Sequence, residues 1–420
     1  MQIQQLPFSK KALLVGAFSI TACQVSAAGF QLNAQSATGL GRAFAGDAVI
    51  ADNASVMSRN AAGMALFDKT AMSFGLNVLK TDISVSDATY SVASASSNYD
   101  DAGGTSYAPN FYLIVPLNEK VAVGIDLYTN FGTRTDFDDS FEADEYGGLT
   151  DIKSLNLGLV ASYRIDQQWS VGGGLDIIYG TGELERSLSE NVSSVLTSGA
   201  STSVLALDAD VSGTAVGFNL GAVFELDENN RFGLSYHYSP QLEATGEVSK
   251  INSSYALETE SNDTLYLNLP DMAEFSGYHR IKNTQYAVHY SVQWIGWSSF
   301  DTLESETYGT ISEYEWKDAF HFSLGGTYYL NDTWTLRTGY MYDQSAQDEV
   351  TSISVPDSDR HWFSAGFTYL LSEKSNIDFG FTYLLGRDVA VYEETDGVST
   401  ITGTTHADAI LAAVQYSHEF

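Results

Sequence analysis

Residues 319–330 have the sequence AFHFSLGGTYYL, in which large apolar and small or polar side chains alternate. Phe320, Phe322 and Leu324 share one parity, and His321 lies between two of them. In a β-strand, successive side chains point to opposite faces, so a period of two residues gives each face its own character. The stretch therefore predicts a strand with one apolar face and one polar face.

The same alternation recurs along the chain, for example in residues 169–179 and 285–295, and the apolar face of these segments carries no charge. Segments of this length suit a tilted strand that crosses a membrane, whereas strands of soluble sandwiches are typically shorter. We predict fourteen strands, centred on residues 72–79, 110–116, 121–131, 155–165, 169–179, 216–226, 231–239, 265–278, 285–295, 319–330, 333–343, 362–371, 377–386 and 409–420.

The connections between these strands alternate in length. Tight turns such as residues 116–120 and 331–332 alternate with long polar segments such as 132–154 and 180–215. This alternation is typical of outer-membrane barrels, in which an even number of strands closes without a free edge and satisfies every backbone group inside lipid. The sequence therefore predicts an all-β protein, a membrane-spanning antiparallel β-barrel of about fourteen strands formed by residues 71–420.

Composition excludes several classes of function. The 420 residues include 53 acidic and 20 basic side chains, so the net charge is -33 and no nucleic-acid partner is expected. The single cysteine, Cys23, excludes a disulfide framework and a zinc-thiolate site. Because the sequence contains neither a phosphate-binding glycine-rich loop nor a metal cluster of recognisable spacing, we predict no cofactor and no metal.

The first residues indicate export. Lys10 and Lys11 precede a short apolar run, and small residues end at Ala27, which is typical of a secretory signal peptide comprising residues 1–27. The alternative is a lipoprotein cleavage site in which Cys23 is acylated. Export together with the barrel pattern places the protein in the outer membrane of a Gram-negative bacterium.

Residues 28–70 have no sustained period and are rich in Ala, Gly, Ser and Asn. A fourteen-strand cylinder is wider than side chains alone can fill, so we predict that this segment is a hatch inside the lumen. A disordered periplasmic tail is the alternative. Apolar residues such as Phe30, Leu40 and Met57 disfavour it, because disordered segments usually have fewer of them.

Several motifs resemble the FadL-type long-chain fatty acid transporters. The motifs are AGFQLN at residues 28–33, GLGRA at 39–43, LPDM at 269–272, WTLRTG at 334–339 and PDSDR at 356–360. The resemblance covers the mature chain and is most specific in its last third, while the long loops match poorly. It implies a fourteen-strand barrel with a hatch, and uptake of long-chain fatty acids by diffusion without an energy-coupling partner. Related members take up aromatic hydrocarbons, which is the alternative ligand class.

The resemblance also implies where the ligand binds. An apolar capture groove is expected among the long loops after strands five and seven, at Leu184, Leu188, Val192 and Leu196. From there the ligand is expected to reach a lumenal site beside the hatch. Basic side chains there approach the carboxylate, and Arg186 and Lys317 both have the parity of the lumenal face. The alternative is that these two cations only neutralise lumenal acids.

The expected gate lies between the hatch and a kink in the third strand, where the ligand leaves sideways. Phe30, Asn60 and Ala61 belong to the hatch side; Ala61 stands where the family has proline, which predicts a looser turn. Thr129 and Gly132 mark the kink, because glycine can interrupt a strand ladder. The alternatives are an ordinary turn asparagine at position 60 and an ordinary strand-end glycine at position 132.

Two further classes of function are disfavoured. An outer-membrane hydrolase requires a serine motif near His289 or His321, and none is present. A general porin requires an open lumen, which an apolar hatch would close. We therefore expect no enzymatic activity and a monomer whose partners are fatty acids or similar amphiphiles, together with outer-membrane lipid and lipopolysaccharide.

Overall fold

The structure, a computed structural model, describes residues 29–92, 97–201, 203–252, 254–395 and 397–420. The predicted signal peptide, its cleavage site at Ala27 and Cys23 lie outside the described residues. Among those described, no helix is long and apolar enough to cross a membrane.

Strands make up most of the chain. They are β1 (Ala71–Tyr90), β2 (Thr105–Pro116), β3 (Val121–Tyr128), β4 (Gly132–Asp136), β5 (Leu149–Arg164), β6 (Trp169–Leu188), β7 (Val204–Asp227), β8 (Asn230–Tyr238), β9 (Gln241–Ile251), β10 (Leu257–Asn268), β11 (Met272–Arg280), β12 (Tyr286–Ile295), β13 (Thr302–Ser305), β14 (Gly309–Glu313), β15 (Ala319–Tyr329), β16 (Trp334–Asp343), β17 (Arg360–Ser372), β18 (Ser375–Leu385), β19 (Val389–Thr395) and β20 (Ser399–Glu419). The helices are α1 (Ala37–Leu40), α2 (Glu190–Leu196) and three 3-10 turns, Ala54–Ser58, Ala61–Leu66 and Trp297–Ser299.

Fourteen antiparallel strands form a closed barrel, as the sequence predicts. In order around the ring they are β1, β2, β3, β5, β6, β7, β8, β11, β12, β15, β16, β17, β18 and β20. The last strand pairs with the first, for example Tyr416 with Phe74, which closes the ring. No strand edge of the ring is therefore left open to lipid.

The other strands lie outside this ring or extend it. β4 continues the third barrel strand along β5. β9 and β10 form a hairpin against the outer part of β7, β13 and β14 form a second hairpin beside β10, and β19 pairs with the outer part of β20. Several predicted loops thus contain strands: β1 reaches Tyr90 and β6 reaches Leu188. In these extensions the outward face is polar and the apolar side chains, such as Ile83 and Leu184, are buried, so the pattern of a lipid-facing strand does not reveal them.

The predicted eighth strand, residues 265–278, is wrong as a single element. β10 ends at Asn268 and β11 begins at Met272, and only β11 belongs to the barrel. Pro270 lies in the break, and a proline has no N–H to donate to a neighbouring strand. The side chain of Asp271 instead accepts the backbone N–H of Ser239 at 2.9 Å.

The two faces of the strands differ as the alternation predicts. In β15, Phe322 and Leu324 are 45% and 59% exposed, whereas His321 is 1% exposed. The apolar face therefore points outward, where lipid replaces water, and the polar face points into the barrel.

Side-chain caps explain why the short connections turn where they do. Asn118 Oδ1 accepts the backbone N–H groups of Lys120 and Val121 at 2.9 and 3.0 Å. Asp166 Oδ1 accepts those of Gln168 and Trp169 at 2.8 Å. Asn and Asp favour turns because they satisfy backbone donors two or three residues ahead. We call this end of the barrel the turn end and the opposite end the loop end.

The segment that precedes β1 packs against the barrel wall. Nearly all of residues 29–64 are buried. Gly41 lies against the backbone of Gly366 on β17, and the Arg42 carbonyl lies against Gly339 on β16. Arg337, on the inner face of β16, contacts Asp52 of the segment at 3.1 Å. These contacts join the segment to residues of β16 and β17.

Candidate functional site

A cluster of aromatic rings lies between the N-terminal segment and the long segment after β12. We call Phe30, Phe131, Trp297, Phe300, Tyr314 and Trp316 the aromatic cluster. The Phe30 ring is fully buried, with its centroid 4.6 Å from that of Trp297, 5.1 Å from Phe300, 5.8 Å from Trp316 and 6.2 Å from Phe131. Edge-to-face geometry of this kind is favourable for ring pairs.

Two donors in this cluster have no partner. Trp297 and Trp316 are 0% and 3% exposed, and in the described part of the chain nothing accepts a hydrogen bond from either Nε1. A buried unpaired donor costs about 1–3 kcal/mol. Both indoles therefore offer hydrogen bonds to an oxygen atom that enters the cluster. Sequence reasoning missed them, because residues 296–318 have no strand period.

The third barrel strand is broken beside this cluster. β3 ends at Tyr128, β4 begins at Gly132, and both pair with β5. The N-terminal segment covers the break: Leu32 N–H donates to the Asn130 carbonyl at 2.7 Å, and Gly132 N–H donates to the Phe30 carbonyl at 2.7 Å. Gln31 and Phe131 thus form an antiparallel bridge across it.

Of the two predicted kink residues, Thr129 lies in this break and Gly132 directly follows it. Thr129 is buried within it, and Gly132 is the first residue of β4, paired with Lys153. The backbone of Gly132 is not in the left-handed region that only glycine adopts readily. The hydrogen-bond ladder is interrupted just before Gly132. Because the φ angle of Gly132 is not positive, this interruption does not depend on a backbone angle that only glycine adopts readily.

Asn60 joins the N-terminal segment to the barrel wall. Its Nδ2 donates to the carbonyls of Ala48, Ala222 and Leu234 at 2.8, 3.1 and 3.3 Å. Its Oδ1 accepts the N–H of Ala62 at 3.0 Å, which caps the 3-10 turn that begins at Ala61. One side chain therefore starts a turn and contacts two barrel strands.

Arg186 faces inward at the loop end of β6. Its Nη1 donates to the Leu149 carbonyl at 2.5 Å, and its Nη2 donates to Thr150 Oγ1 at 2.6 Å. Its charge also acts on Tyr314 of the aromatic cluster and on Glu393. Burial raises the pKa of Glu393 to about 7, although the Ile353 N–H and Arg186 oppose that rise.

Lys317 is not placed as its parity suggests. It lies before the first residue of β15, where the strand alternation does not apply, and its side chain is exposed. Its Nζ contacts Asp348 Oδ1 at 2.9 Å. Within the described ranges no contact joins Lys317 to Arg186, so the predicted basic pair is not brought together.

The predicted capture groove divides into two places. Val192 and Leu196 of α2, together with Val195, Tyr255 and Val398, line an open apolar cavity of about 360 Å³ at the loop end. Leu184 instead faces the buried core around the aromatic cluster, and Leu188 is buried. β6 continues through both leucines, which turns them inward.

The described residues contain no group of three or more His, Cys, Asp or Glu side chains arranged to hold a metal ion. The candidate site consists of an apolar cavity at the loop end, an aromatic cluster with two unpartnered indole N–H donors, and a strand break covered by the N-terminal segment.

Comparisons with known proteins identify the family. Residues 18–420 match the family model described as "Outer membrane protein transport protein (OMPP1/FadL/TodX)". The chain is 34% identical to a long-chain fatty acid transport protein of Escherichia coli O6:H1, with 99% of this chain and 100% of that protein covered. It is 33% identical to outer membrane protein P1 of Haemophilus influenzae, with 90% of each covered.

Solved structures agree with the fold. A Pseudomonas aeruginosa FadL homologue matches with a TM-score of 0.82 at 22% identity, covering 94% of this chain and 100% of that one. The Pseudomonas putida toluene transporter TodX matches with a TM-score of 0.68 at 19% identity, covering 94% and 100%. The relatives are transport proteins and channels, not enzymes. The chain is therefore a Gram-negative outer-membrane protein that belongs to the OMPP1/FadL/TodX transport family.

Proposed function

We propose that this protein takes up long-chain fatty acids across the outer membrane by passive diffusion through a plugged barrel with a lateral exit. The observation that carries the proposal is the buried aromatic cluster, which has two unpartnered indole donors and adjoins the break in the third strand. The full-length relatives named as long-chain fatty acid transport proteins support it.

Capture takes place at the open cavity beside α2. Its lining is mainly apolar, and Val195 is 79% exposed, so an aliphatic chain finds uncovered apolar surface there. Burying a methylene group is worth about 0.8 kcal/mol, so a sixteen-carbon tail gains on the order of 10 kcal/mol when fully buried. Partial burial at this cavity concentrates scarce ligand.

The head group is bound deeper, beside the aromatic cluster. The indole N–H groups of Trp297 and Trp316 point to an oxygen ligand, and Arg186 supplies a positive charge near Tyr314. Hydrogen bonds to a carboxylate are strong when the charge is desolvated. Lys317 acts earlier, because an exposed ion pair such as Lys317–Asp348 is worth only about 0–1 kcal/mol and exchanges readily for a ligand carboxylate.

Exit occurs through the break at residues 129–131. Two backbone hydrogen bonds, at Phe30 and Leu32, hold the N-terminal segment over it. Breaking both costs about 1–3 kcal/mol in total, which is less than the gain from burying an aliphatic tail. A tail that displaces Phe30 from the aromatic cluster therefore opens the wall toward lipid, where the tail keeps its apolar surroundings.

This mechanism gives residues 28–70 the role of a hatch and residues 71–420 the role of a barrel. Asn60 and the ion pair between Asp52 and Arg337 anchor the hatch while its first residues move. The ring closes within one chain, which favours a monomer. Outer-membrane lipid contacts the apolar belt, and lipopolysaccharide contacts the acidic loops.

Uptake of aromatic hydrocarbons is the second candidate function. The aromatic cluster and the toluene transporters among the similar folds favour it, whereas two polar donors and Arg186 favour a carboxylate. The test is uptake of radiolabelled palmitate and of toluene by bacteria that lack their own transporters. Palmitate uptake well above the empty-vector control supports the proposal; toluene uptake alone supports the second candidate and refutes the first.

A further inference from the structure

Two arginines at the turn end of the barrel are held against tyrosine rings. The guanidinium carbon of Arg231 lies 5.0 Å from the ring centroid of Tyr278, and that of Arg280 lies 4.2 Å from the ring centroid of Tyr329. The two tyrosine hydroxyls are 2.7 Å apart and share a hydrogen bond. Tyr278 is 5% exposed and belongs to a buried cluster with Val49 of the N-terminal segment, so this group of side chains lies on the inner face of the wall.

The two arginines occupy neighbouring positions of the sheet. Arg231 on β8 is the register partner of Tyr278 on β11, and Arg280 lies two residues further along β11 on the same face. Diagonal neighbours of this kind lie about 7–8 Å apart, which is within reach of long side chains. The charges of both guanidinium groups act on Tyr278. One small ligand can therefore contact both arginines at once.

Neither guanidinium group is neutralised by the protein. Within the ranges that the structure describes, no carboxylate oxygen lies within 4.0 Å of Arg231 or Arg280, although the chain has 53 acidic residues. Glu225 is the register partner of Arg231 on β7, but its carboxylate lies 3.0 Å from Arg164 instead. The Nε of Arg231 is buried and has no hydrogen-bond partner. A guanidinium that lies over a ring face keeps its N–H edges available, so both arginines can still donate.

The tyrosine pair adds a third donor and an apolar surface. One hydroxyl donates to the other, and in the described part of the chain nothing accepts the hydrogen of the second hydroxyl. Tyr329 and Leu66 are both partly buried and pack against the buried cluster that contains Tyr278. The group therefore combines donors without acceptors and partly exposed apolar side chains. This combination fits an oxyanion that is attached to an apolar chain.

We propose that Arg231, Arg280 and the hydroxyl pair of Tyr278 and Tyr329 bind the oxyanion head group of an amphiphile at the turn end of the barrel. Guanidinium groups bind carboxylate and phosphate oxygens through paired, charge-assisted hydrogen bonds. Contact with the tyrosine rings fixes both guanidinium groups beforehand, so binding costs little side-chain freedom. Short turns of outer-membrane barrels face the periplasm, so the head group comes from a fatty acid carboxylate or from the phosphate of a phospholipid on that side. The site shares no residue with the aromatic cluster or the loop-end cavity.

The test is photo-crosslinking to the folded barrel in a non-ionic detergent. One probe is palmitate with a diazirine near its carboxylate, and the other is phosphatidylglycerol with a diazirine near its phosphate. Mass spectrometry of the peptides then locates the label. We expect labelling at Tyr278 and Tyr329 in the wild type, reduced about tenfold or more in Arg231→Gln/Arg280→Gln, because both charge-assisted contacts are lost. Labelling by palmitate alone assigns the site to a carboxylate, and labelling by phosphatidylglycerol alone assigns it to a phosphate.

The matched control is Lys282→Gln/Lys374→Gln, which removes two exposed cations at the same end and should leave the labelling unchanged. If the double arginine variant does not fold, Arg280→Gln alone decides the test, because Arg280 is exposed and its loss should still reduce labelling about threefold. No labelling at the two tyrosines with either probe, or equal labelling in the wild type and the folded arginine variants, would overturn the proposal. Palmitate uptake by cells is measured separately: uptake without labelling refutes only this site, and labelling without uptake refutes only the proposed function.

Discussion

Replacing Phe30 with alanine should uncover the strand break without unfolding the barrel. The ring is fully buried against four other aromatic rings, so its removal costs about 3 kcal/mol, the low end for a buried phenylalanine. The hydrogen bonds across the break, from Leu32 N–H and to the Phe30 carbonyl, lie directly beside this ring. The lost energy should therefore appear as local opening, which becomes on the order of 100-fold more frequent.

The assay is hydrogen exchange at the amides of Leu32 and Gly132, which are the two donors across the break. The matched control is Phe44→Ala, because Phe44 is a buried ring of the same segment that packs against Trp362 and does not belong to the aromatic cluster. We expect faster exchange at both amides in Phe30→Ala and wild-type exchange in Phe44→Ala. Unchanged exchange in Phe30→Ala would refute the idea that the aromatic cluster holds the break closed.

Three other predictions test the remaining parts of the site. Asn60→Ala should lower the free energy of unfolding by about 1–3 kcal/mol more than Asn53→Ala in a urea titration, because Asn53 bonds only within the N-terminal segment. Arg186→Ala should weaken palmitate binding by about 10- to 100-fold and Lys317→Ala by less than tenfold, with toluene uptake unchanged in both. Equal losses would contradict the proposal that Lys317 acts before Arg186 binds the carboxylate. Because the folded-state pKa of Glu393 is raised from 4.5 to about 7, ionisation destabilises the fold, so stability should fall as pH rises between these values in the wild type and less in Glu393→Gln.

The fold was predictable because its main signal is local. The alternation of apolar and polar side chains around Phe322 and Leu324 depends only on which face of the strand contacts lipid. Each strand can therefore be predicted from its own residues. This alternation stops where a strand extends beyond the lipid-contacting part of the barrel. In the outer part of β6 beyond Tyr179, the outward face is polar and Leu184 and Leu188 point inward, so this part lacks the pattern of a lipid-facing strand. The break at Pro270 was missed because apolar residues continue on both sides of it.

The candidate site was less predictable, because it depends on contacts between distant segments. Lys317 has the correct parity for an inward residue, but it lies two residues before β15 begins, where side chains no longer alternate between two faces. Trp297 and Trp316 lie in an irregular segment, and nothing in their sequence context reveals that both indole donors are buried without partners. Phe30 and Asn60 were found through family resemblance, and the structure gives each of them specific contacts.

A variant that loses only the two unpartnered indole donors shows, by its affinity for palmitate, whether these donors bind the head group. In Trp297→Phe/Trp316→Phe both aromatic rings remain, while both indole N–H groups are gone. Trp294→Phe is the control, because its Nε1 is already bonded to Asp318. In equilibrium dialysis with radiolabelled palmitate, we expect binding at least tenfold weaker in the double variant and unchanged binding in the control. Wild-type affinity in the double variant would contradict this expectation.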